Sequence, residues 1–261
     1  MLLGKTIVVT GISSGIGARI GELAVALGAD VVGVDVNAPA APLAAFVKAD
    51  ISSPAAIADV VRALPGRIDA LCNVAGVSGV SGAARTLAIN FYGLRALSEA
   101  LAPKLREGGA IANIASIAGY GWRANLDRAK AFVDAPGIPD VTALIKHFGV
   151  PDSEGYPLSK ELLLLWTMRA AHQPLFRNRG VRVNAISPGP VTTPILKEFR
   201  QVFGDPRVDE DIARVGRAGA PADVAPAALF LCSDGARWIN GANLPVDGGL
   251  EASINASVLG F

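Results

Sequence analysis

The sequence predicts a single α/β domain built on a doubly wound parallel sheet. Short runs of apolar, β-branched residues alternate with stretches of helical character along the whole chain. Strands that are apolar throughout, rather than at every second position, are typical of a parallel sheet covered by helices on both faces. No repeat, low-complexity tract or linker divides the 261 residues. We therefore expect one domain spanning residues 1–261.

The elements follow one another in regular order. The run KTIVVT at residues 5–10 is short and β-branched and ends at Gly11, which predicts the first strand. Residues 16–27 predict a helix that ends at Gly28. By the same criteria we expect further strands at 30–34, around 46–47, and at 70–74, 110–114, 181–186 and 242–246, with helices at 53–64, 86–105, 157–173 and 221–231.

The composition restricts the class of protein and of partner. Hydrophobic residues make up 51% and charged residues 18% of the chain, which excludes disorder as a description of the whole. The net charge of +1 argues against binding to nucleic acid or to a membrane surface. Mean hydropathy is +0.40, but no apolar run approaches the ~20 residues that a membrane-spanning helix needs.

The cysteines and histidines argue against disulfides and metals. Cys72 and Cys232 lie far apart in the sequence and fit reduced thiols better than a disulfide framework. His147 and His172 have no acidic or cysteine companion at ligand spacing, so we expect no metal site. The amino terminus lacks the layout of a signal peptide. Together these features predict a cytoplasmic protein.

The turn after the first strand has the composition of a phosphate-binding site. A strand, a glycine-rich turn and a helix N-terminus present backbone N–H groups to an anion, and the helix dipole favours negative charge. Glycines also let the backbone approach a pyrophosphate closely. An ordinary strand–helix turn is the alternative. The candidate cofactor-binding residues here are Gly11, Ser13, Ser14, Gly15, Ile16 and Gly17.

An acidic residue, Asp35, ends the second predicted strand. It follows Gly17 by roughly the 20 residues at which dinucleotide sites place a ribose-binding carboxylate. A carboxylate there accepts hydrogen bonds from the adenosine ribose and repels a 2′-phosphate. Ser13, Ser14 and Val36 offer no positive charge to hold such a phosphate. We therefore expect NAD rather than NADP, with an ordinary strand-end aspartate as the alternative.

Motifs spread over most of the chain resemble those of the short-chain dehydrogenase/reductase family. The turn TGISSGIG at residues 10–17 resembles the glycine motif of the family's single-domain branch, and NVAG at 73–76 resembles its NNAG motif. Asp50-Ile51, the loop PGPVTT at 188–193 and VDGG at 246–249 are similar to further family motifs. The resemblance implies a Rossmann-type fold and a nicotinamide-dependent oxidoreductase.

The resemblance also implies a catalytic tetrad of Asn90, Ser116, Tyr156 and Lys160. In that assignment Ser116 holds the substrate oxygen, Asn90 belongs to a proton relay, and Lys160 also binds the nicotinamide ribose. The alternatives are a helix-capping serine, a buried structural asparagine and a surface Tyr–Lys pair. The cofactor-binding residues implied beyond the glycine turn and Asp35 are Asp50, Ile51, Asn73, Ala75, Gly76, Tyr156, Lys160, Pro188, Gly189, Val191 and Thr193.

The chemistry of the Tyr156–Lys160 pair follows from its spacing. Four residues apart on a predicted helix, the two side chains share a face. A tyrosine has an ordinary pKa near 10, too high for a base at neutral pH. A nearby ammonium and a cationic nicotinamide stabilise the phenolate and are expected to lower the pKa of Tyr156. Tyr156 then takes the alcohol proton in oxidation or donates it in reduction.

The spacing of the motifs departs from the family norm. The segments 35–50 and 76–90 are short, whereas a long insertion at about residues 122–155 separates Ser116 from Tyr156. This pattern resembles the subgroup that contains bacterial 3α-hydroxysteroid dehydrogenase/carbonyl reductase and coniferyl alcohol dehydrogenase. Apolar residues at helical spacing predict two short amphipathic helices in the insertion. Its position predicts a lid for a bulky substrate, with a subunit interface or a structural cap as the alternative.

The expected function is hydride transfer between NAD and a bulky secondary or aryl alcohol or its carbonyl, hydroxysteroid-like or coniferyl-alcohol-like. A catalytically silent NAD-sensing regulator and a sugar-nucleotide epimerase or dehydratase are the alternatives. The intact set of Ser116, Tyr156 and Lys160 argues against the regulator. The glycine spacing and the lack of a larger C-terminal domain argue against the epimerase. The family resemblance further implies a homodimer or a homotetramer.

Overall fold

Seven parallel strands form one sheet in the order β3-β2-β1-β4-β5-β6-β7 in the computed structural model, which describes residues 2–261. The predicted fold class is confirmed; Met1, at the start of the predicted domain, lies outside the described residues. The strands are β1 (Thr6–Thr10), β2 (Asp30–Asp35), β3 (Ala45–Lys48), β4 (Ile68–Asn73), β5 (Leu105–Ile114), β6 (Arg182–Pro188) and β7 (Asn243–Val246).

Helices cover both faces of this sheet. They are α1 (Gly15–Ala26), α2 (Pro54–Ala63), α3 (Ala83–Leu87), α4 (Leu94–Leu101), α5 (Leu126–Asp134), α6 (Val141–Phe148), α7 (Gly155–Ala170), α8 (Pro174–Arg177), α9 (Leu196–Phe203), α10 (Asp205–Val215), α11 (Pro221–Leu231) and α12 (Leu250–Leu259). A π-helical segment, Ala88–Gly93, joins α3 to α4. The chain runs outward from β1 to β3 and then returns to β4 beside β1, so the strand order reverses between β1 and β4. Ligands of such sheets bind at this reversal, at the carboxyl ends of the strands.

The core consists of two apolar clusters, one on each face of the sheet. Val8 of β1 faces the cluster that includes Leu162 of α7, whereas Ile7 and Val9 face the cluster that includes Ile20 of α1. All of these side chains are fully buried. Because both faces of β1 are covered, its residues are apolar without alternation, which is the pattern that predicted the parallel sheet.

Two boundaries and four helices differ from the sequence-based expectation. The helix expected over 86–105 ends at Leu101, since a turn that contains Pro103 follows it, and β5 already begins at Leu105. Helices α8, α9, α10 and α12 were not predicted. Helices α9 and α10 are rich in charged residues, but α9 also has apolar residues at helical spacing that sequence reasoning overlooked, Leu196, Phe199 and Phe203.

The insertion folds into the two short helices expected of it, α5 and α6. Arg95 of α4 holds the segment between them, because its guanidinium donates to the carbonyl oxygens of Val133 and Ala135, at 2.9 and 2.7 Å. The side chain of Phe132 is fully buried, and its ring centroid lies 5.1 Å from that of Phe148. The insertion is therefore packed into the main core on the side of α4 and α7.

The two cysteines meet in space although they are distant in sequence. Cys72 of β4 and Cys232, just after α11, are buried free thiols whose Sγ atoms lie 3.5 Å apart. Within residues 2–261, no helix combines the length and the apolar character needed to cross a membrane. Over the same range, no three His, Cys, Asp or Glu side chains group so that they could hold a metal ion.

Candidate active site

A cleft of about 480 Å³ lies across the carboxyl ends of the strands, where the strand order reverses. It begins beside β2 and extends to the first turns of α7 and α9. The structure thus brings together residues that are distant in the sequence. Of the predicted site residues, those lining the cleft are Gly11, Ser13, Ser14, Gly15, Ile16, Gly17, Asp35, Asp50, Ile51, Ala75, Gly76, Ser116, Tyr156, Lys160, Pro188, Gly189, Val191 and Thr193.

The glycine turn forms a narrow cradle at the floor of the cleft. Gly11 has a φ of +69°, and a Cβ there would lie 2.7 Å from the backbone nitrogen of Ala75. A Cβ on Gly17 would collide with the carbonyl oxygen of Gly11. The side chain of Ser14 makes no capping hydrogen bond to α1, which leaves the first N–H groups of that helix available to an anion. These residues fit the pyrophosphate of a dinucleotide.

Asp35 is oriented by backbone amides at the same end of the cleft. Its Oδ2 accepts from the N–H of Ser13 and its Oδ1 from the N–H of Asn37, each at 3.0 Å. A carboxylate has about four acceptor positions, so both oxygens can still accept from ribose hydroxyls. The carboxylate is thus held in place without losing its capacity to bind a diol.

The cation at this end, Arg85, is occupied by a neighbouring acid. Its Nη2 lies 2.7 Å from Oδ2 of Asp50. Burial acts to raise the pKa of Asp50, but hydrogen bonds from Arg85 and Ser52 outweigh that effect and hold the pKa below its ordinary value. Arg85 lines the cleft and was not predicted as a site residue.

Three predicted catalytic side chains converge at the other end of the cleft. Ser116 follows the carboxyl end of β5, while Tyr156 and Lys160 lie one turn apart at the start of α7. The Nζ of Lys160 donates to the carbonyl oxygen of Ile114 at 2.9 Å and lies 5.5 Å from the centroid of the Tyr156 ring. Both side chains are more than 90% buried, so water has little access to the pair.

Burial shifts the pKa of both groups away from the charged form. It raises the pKa of Tyr156 to about 12, against a weaker, opposite effect of the Ser116 hydroxyl. It lowers the pKa of Lys160 to about 8. The sequence-based expectation of a lowered pKa for Tyr156 includes a bound cationic nicotinamide, whereas in the protein alone the loss of solvent around the phenol dominates.

Asn90 and Asn73 lie behind the wall of the cleft rather than in it. Asn90, in the π-helical segment, accepts from the N–H of Val77 at 2.8 Å and donates to the carbonyl of the same residue at 2.9 Å. Asn73, expected to bind the cofactor, instead donates to Ser98 and Asn113 within a fully buried polar network. Asn90 therefore fixes the loop after β4, and Asn73 ties β4 to β5 and α4.

Helix α9 covers the catalytic end of the cleft. The ring of Phe199 lies 4.7 Å and that of Phe203 5.9 Å from the Tyr156 ring, centroid to centroid. Phe199 and Glu198 line the cleft, whereas no residue of the insertion between 122 and 155 does. Sequence reasoning missed this cover, although two phenylalanines four residues apart, just after the PGPVTT loop, are a usable sign of an aromatic helix face.

Comparison with known proteins settles the family. Residues 5–127 match the model described as short chain dehydrogenase, and residues 137–251 match that described as enoyl-(acyl carrier protein) reductase. The chain is 41% identical over 252 residues to coniferyl-alcohol dehydrogenase of Pseudomonas sp. (strain HR199 / DSM 7063), a match that covers 97% of this chain and 98% of that protein. The chain belongs to the short-chain dehydrogenase/reductase family.

Two further relatives agree with this family membership. D-threitol dehydrogenase of Mycolicibacterium smegmatis is 36% identical over 273 residues, covering 94% of this chain and 92% of that protein. The crystal structure of 3-alpha-hydroxysteroid dehydrogenase from Pseudomonas sp. B-0831 with NADH superimposes with a TM-score of 0.81 at 30% identity, covering 96% and 98% of the two chains. The chain is thus an oxidoreductase of a family that uses nicotinamide cofactors, and nothing favours a silent regulator or an epimerase.

Proposed function

We propose that this short-chain dehydrogenase/reductase is an NAD-dependent dehydrogenase of bulky aryl or secondary alcohols, and the reductase of the matching carbonyls. One observation carries the proposal: a single cleft joins the glycine turn and Asp35 at one end to Ser116, Tyr156 and Lys160 at the other. A dinucleotide bound along that cleft would present its nicotinamide to the three catalytic side chains.

The residues at the catalytic end orient the substrate and transfer one proton. The bound nicotinamide would supply the hydride acceptor or donor. The hydroxyls of Ser116 and Tyr156 hold the substrate oxygen, and Tyr156 removes the alcohol proton in oxidation or returns it in reduction. Lys160, anchored on the carbonyl of Ile114, places an ammonium beside the ring that must become a phenolate. Asn90 keeps the loop at Val77 in position.

The preference for NAD rests on the charges at the adenosine end. Asp35 holds a carboxylate where a 2′-phosphate would lie, and the next residue, Val36, is uncharged and 46% exposed. The nearby guanidinium of Arg85 is paired with Asp50. A 2′-phosphate would therefore meet a carboxylate in the cleft, and the arginine that lines this end is already paired.

The preference for a ring-bearing substrate rests on the aromatic side chains of α9 that cover the catalytic end of the cleft. Phe199 and Phe203 form an aromatic wall against Tyr156, which suits a planar apolar substrate better than a small polyol. The names of two relatives, a coniferyl-alcohol dehydrogenase and a 3-alpha-hydroxysteroid dehydrogenase, point the same way. The name of a third relative, D-threitol dehydrogenase, indicates a polyol substrate instead.

The test is a substrate panel with NAD and NADP, followed by the absorbance of the reduced nicotinamide. Cinnamyl alcohol, a 3α-hydroxysteroid and D-threitol represent the three classes. We expect kcat/KM to be highest for an aryl alcohol with NAD. A preference for D-threitol would contradict the substrate class, and a preference for NADP would contradict the role of Asp35.

We further propose that the insertion acts as scaffold rather than as lid. It packs in the core through Phe132 and is held by Arg95, and none of its residues lines the cleft. This placement supports the structural-cap alternative. Covering the substrate then falls to α9.

For compartment and assembly we propose a cytoplasmic homodimer or homotetramer. The free thiols of Cys72 and Cys232, only 3.5 Å apart, fit a reducing compartment. Trp238 and Phe261 are 96% and 94% exposed in the single chain, and large exposed apolar side chains are typical of surfaces that a partner covers.

A further inference from the structure

We infer that Glu198 is a specificity-determining residue, which favours aryl alcohols with a hydroxyl group on the ring and disfavours those with a carboxylate. This inference rests on the proposed function, because it concerns the substrate of the same cleft. It assigns a task to a charged side chain that lines the cleft and that neither the cofactor nor the proton transfer employs.

The carboxylate of Glu198 has a defined position. Its Oε2 accepts a hydrogen bond of 2.5 Å from the hydroxyl of Ser78. Ser78 is 1% exposed and directly follows Val77, whose N–H and carbonyl are both bound by Asn90. Glu198 is itself exposed, and because the loop is fixed from behind, the serine orients this exposed carboxylate at the cleft that it lines.

The second oxygen of that carboxylate is available to a ligand. Across residues 2–261, Oε1 of Glu198 has no hydrogen-bond partner and the side chain has no ion pair. The nearest arginine on the same helix, Arg200, is bound instead to Asp205 and Asp209, at 3.1 and 2.7 Å. Lys197, the other cation on this helix, also forms no ion pair with Glu198 within residues 2–261.

The position of Glu198 relative to Tyr156 suits the far edge of a substrate ring. Glu198 and the next residue, Phe199, both line the cleft, and Phe199 packs directly on the Tyr156 ring, so a substrate ring resting on Phe199 would lie in the same cleft as the carboxylate. Val202, on the same helix, lies close to Gly79, so α9 is docked on the loop that carries Ser78. A ring with its carbinol at Tyr156 would direct its opposite edge toward the mouth that Glu198 borders.

The chemistry of a carboxylate decides what it recognises there. An ionised carboxylate only accepts hydrogen bonds, so a phenolic hydroxyl forms a charge-assisted bond with it. A carboxylate on the substrate has no proton to donate and is repelled at close range. A charge-assisted hydrogen bond is strong enough to change kcat/KM on the order of 10- to 100-fold.

The experiment compares three alcohols that differ at one ring position: cinnamyl alcohol, its 4-hydroxy derivative and its 4-carboxy derivative. We expect the wild type to favour the 4-hydroxy compound over cinnamyl alcohol by about 10- to 100-fold in kcat/KM. Glu198→Gln should bring that ratio close to 1 and raise kcat/KM for the 4-carboxy compound. Ser78→Ala should give an intermediate ratio, because the carboxylate loses its anchor but keeps its charge.

The matched control is Glu210→Gln. Glu210 lies on α10, pairs with Arg214 and does not line the cleft, so this variant changes the net charge equally but should keep the wild-type selectivity. Equal ratios in the wild type and Glu198→Gln overturn the inference. So does an equal loss of selectivity in Glu210→Gln, since the effect would then come from overall charge.

A binding measurement separates this inference from the proposed function. Calorimetry of cinnamyl alcohol and its 4-hydroxy derivative on the NADH-loaded protein gives dissociation constants without turnover. Binding that prefers the 4-hydroxy compound through Glu198, without oxidation of either alcohol, would support the inference and overturn the proposed function. Oxidation of both alcohols with a preference that does not depend on Glu198 would do the reverse.

Discussion

At the scale of single residues, the active site combines two ionisable groups whose charges burial opposes. Tyr156 must lose a proton and Lys160 must keep one for the proposed chemistry, yet burial raises the first pKa to about 12 and lowers the second to about 8. The protein alone therefore keeps the phenol protonated and makes the ammonium easier to deprotonate than usual. A cationic nicotinamide beside the pair would favour the phenolate, which couples the acid–base function to cofactor binding.

The lowered pKa of Lys160 predicts a pH dependence of stability. Unfolded, the ammonium keeps its proton up to its ordinary pKa of 10.5, whereas in the folded protein it loses it above about 8. Burying the charge therefore costs stability at neutral pH, and that cost is relieved as the pH rises from about 8 toward 10. The free energy of unfolding of the wild type should gain up to about 3 kcal/mol relative to Lys160→Met over this range.

Urea unfolding of both proteins, without cofactor, from about pH 7 to about pH 10 measures this difference. Tyr156 is present in both, so its own titration cancels. A constant difference between wild type and Lys160→Met across the range would show that the ammonium is not desolvated in the folded protein.

The charge at Asp35 predicts the cofactor preference. Replacing Asp35 by Ala and Val36 by Arg removes a repulsive carboxylate and adds a guanidinium at the adenosine 2′ position. We expect the ratio of kcat/KM for NAD over NADP to fall by on the order of 100-fold, since each change contributes about 1–3 kcal/mol. Asp30→Ala, at the exposed start of the same strand, is the control. A wild type that already prefers NADP would contradict the assignment.

At the scale of elements, the insertion packs into the core, whereas α9 covers the site, the role that the sequence-based prediction assigned to the insertion. Helices α5 and α6 add to the core, where Phe132 is fully buried. Helix α9 has no fully buried residue but places Phe199 on the ring of Tyr156. One element is thus held by the fold, and the other covers the site while remaining at the surface.

This division predicts opposite effects of two phenylalanine-to-alanine substitutions. Phe132→Ala should lower the free energy of unfolding by about 3–5 kcal/mol, because it opens a cavity in a packed core. Phe199→Ala should leave that free energy within about 1 kcal/mol and lower kcat/KM for an aryl alcohol by roughly 5- to 100-fold.

Urea unfolding and steady-state kinetics on both variants test the pair of expectations. For Phe132→Ala, kinetics are compared at a temperature where it remains folded. If folded Phe132→Ala loses as much activity toward a large alcohol as Phe199→Ala does, the insertion does act as a lid.

At the scale of the whole molecule, the sheet leaves two edges, β3 and β7, and several large apolar side chains in the carboxyl-terminal part of the chain are exposed. Leu244 of β7 is 38% exposed, and beyond the sheet Trp238 and Phe261 are almost fully exposed. An edge strand has unpaired backbone groups that another chain can bind. Both features agree with the proposed homodimer or homotetramer.

Light scattering coupled to size exclusion should give a mass of two or four chains at micromolar concentration. Trp238→Asp should shift the distribution toward a smaller assembly, because it replaces an exposed apolar side chain by a charged one. Phe230→Asp, on a half-exposed residue of α11, is the control. An equal shift in this variant would show that the effect is not specific to the position of Trp238. A monomeric wild type would contradict the proposed assembly.

The family resemblance indicated Ser116 and a catalytic role for Tyr156 and Lys160, and the sequence by itself determined the fold class, the glycine turn, Asp35 and the shared helix face of that pair. These features depend on local requirements: apolar runs for buried strands, glycine where the backbone must come close, and a four-residue spacing for two side chains on one helix face. Each requirement leaves its mark within a few residues, so it can be recognised before the chain is folded.

Only the tertiary structure decided which segment covers the site, where Asn73 and Asn90 lie, and the direction of the pKa shift of Tyr156. Helix α9 has apolar residues at helical spacing, but these do not indicate what they pack against, because the contact with Tyr156 joins residues far apart in the sequence. Desolvation likewise depends on all the chain segments packed around a group rather than on its sequence neighbours. Packing between distant segments sets these properties, and the spacing of residues along the chain does not reveal that packing.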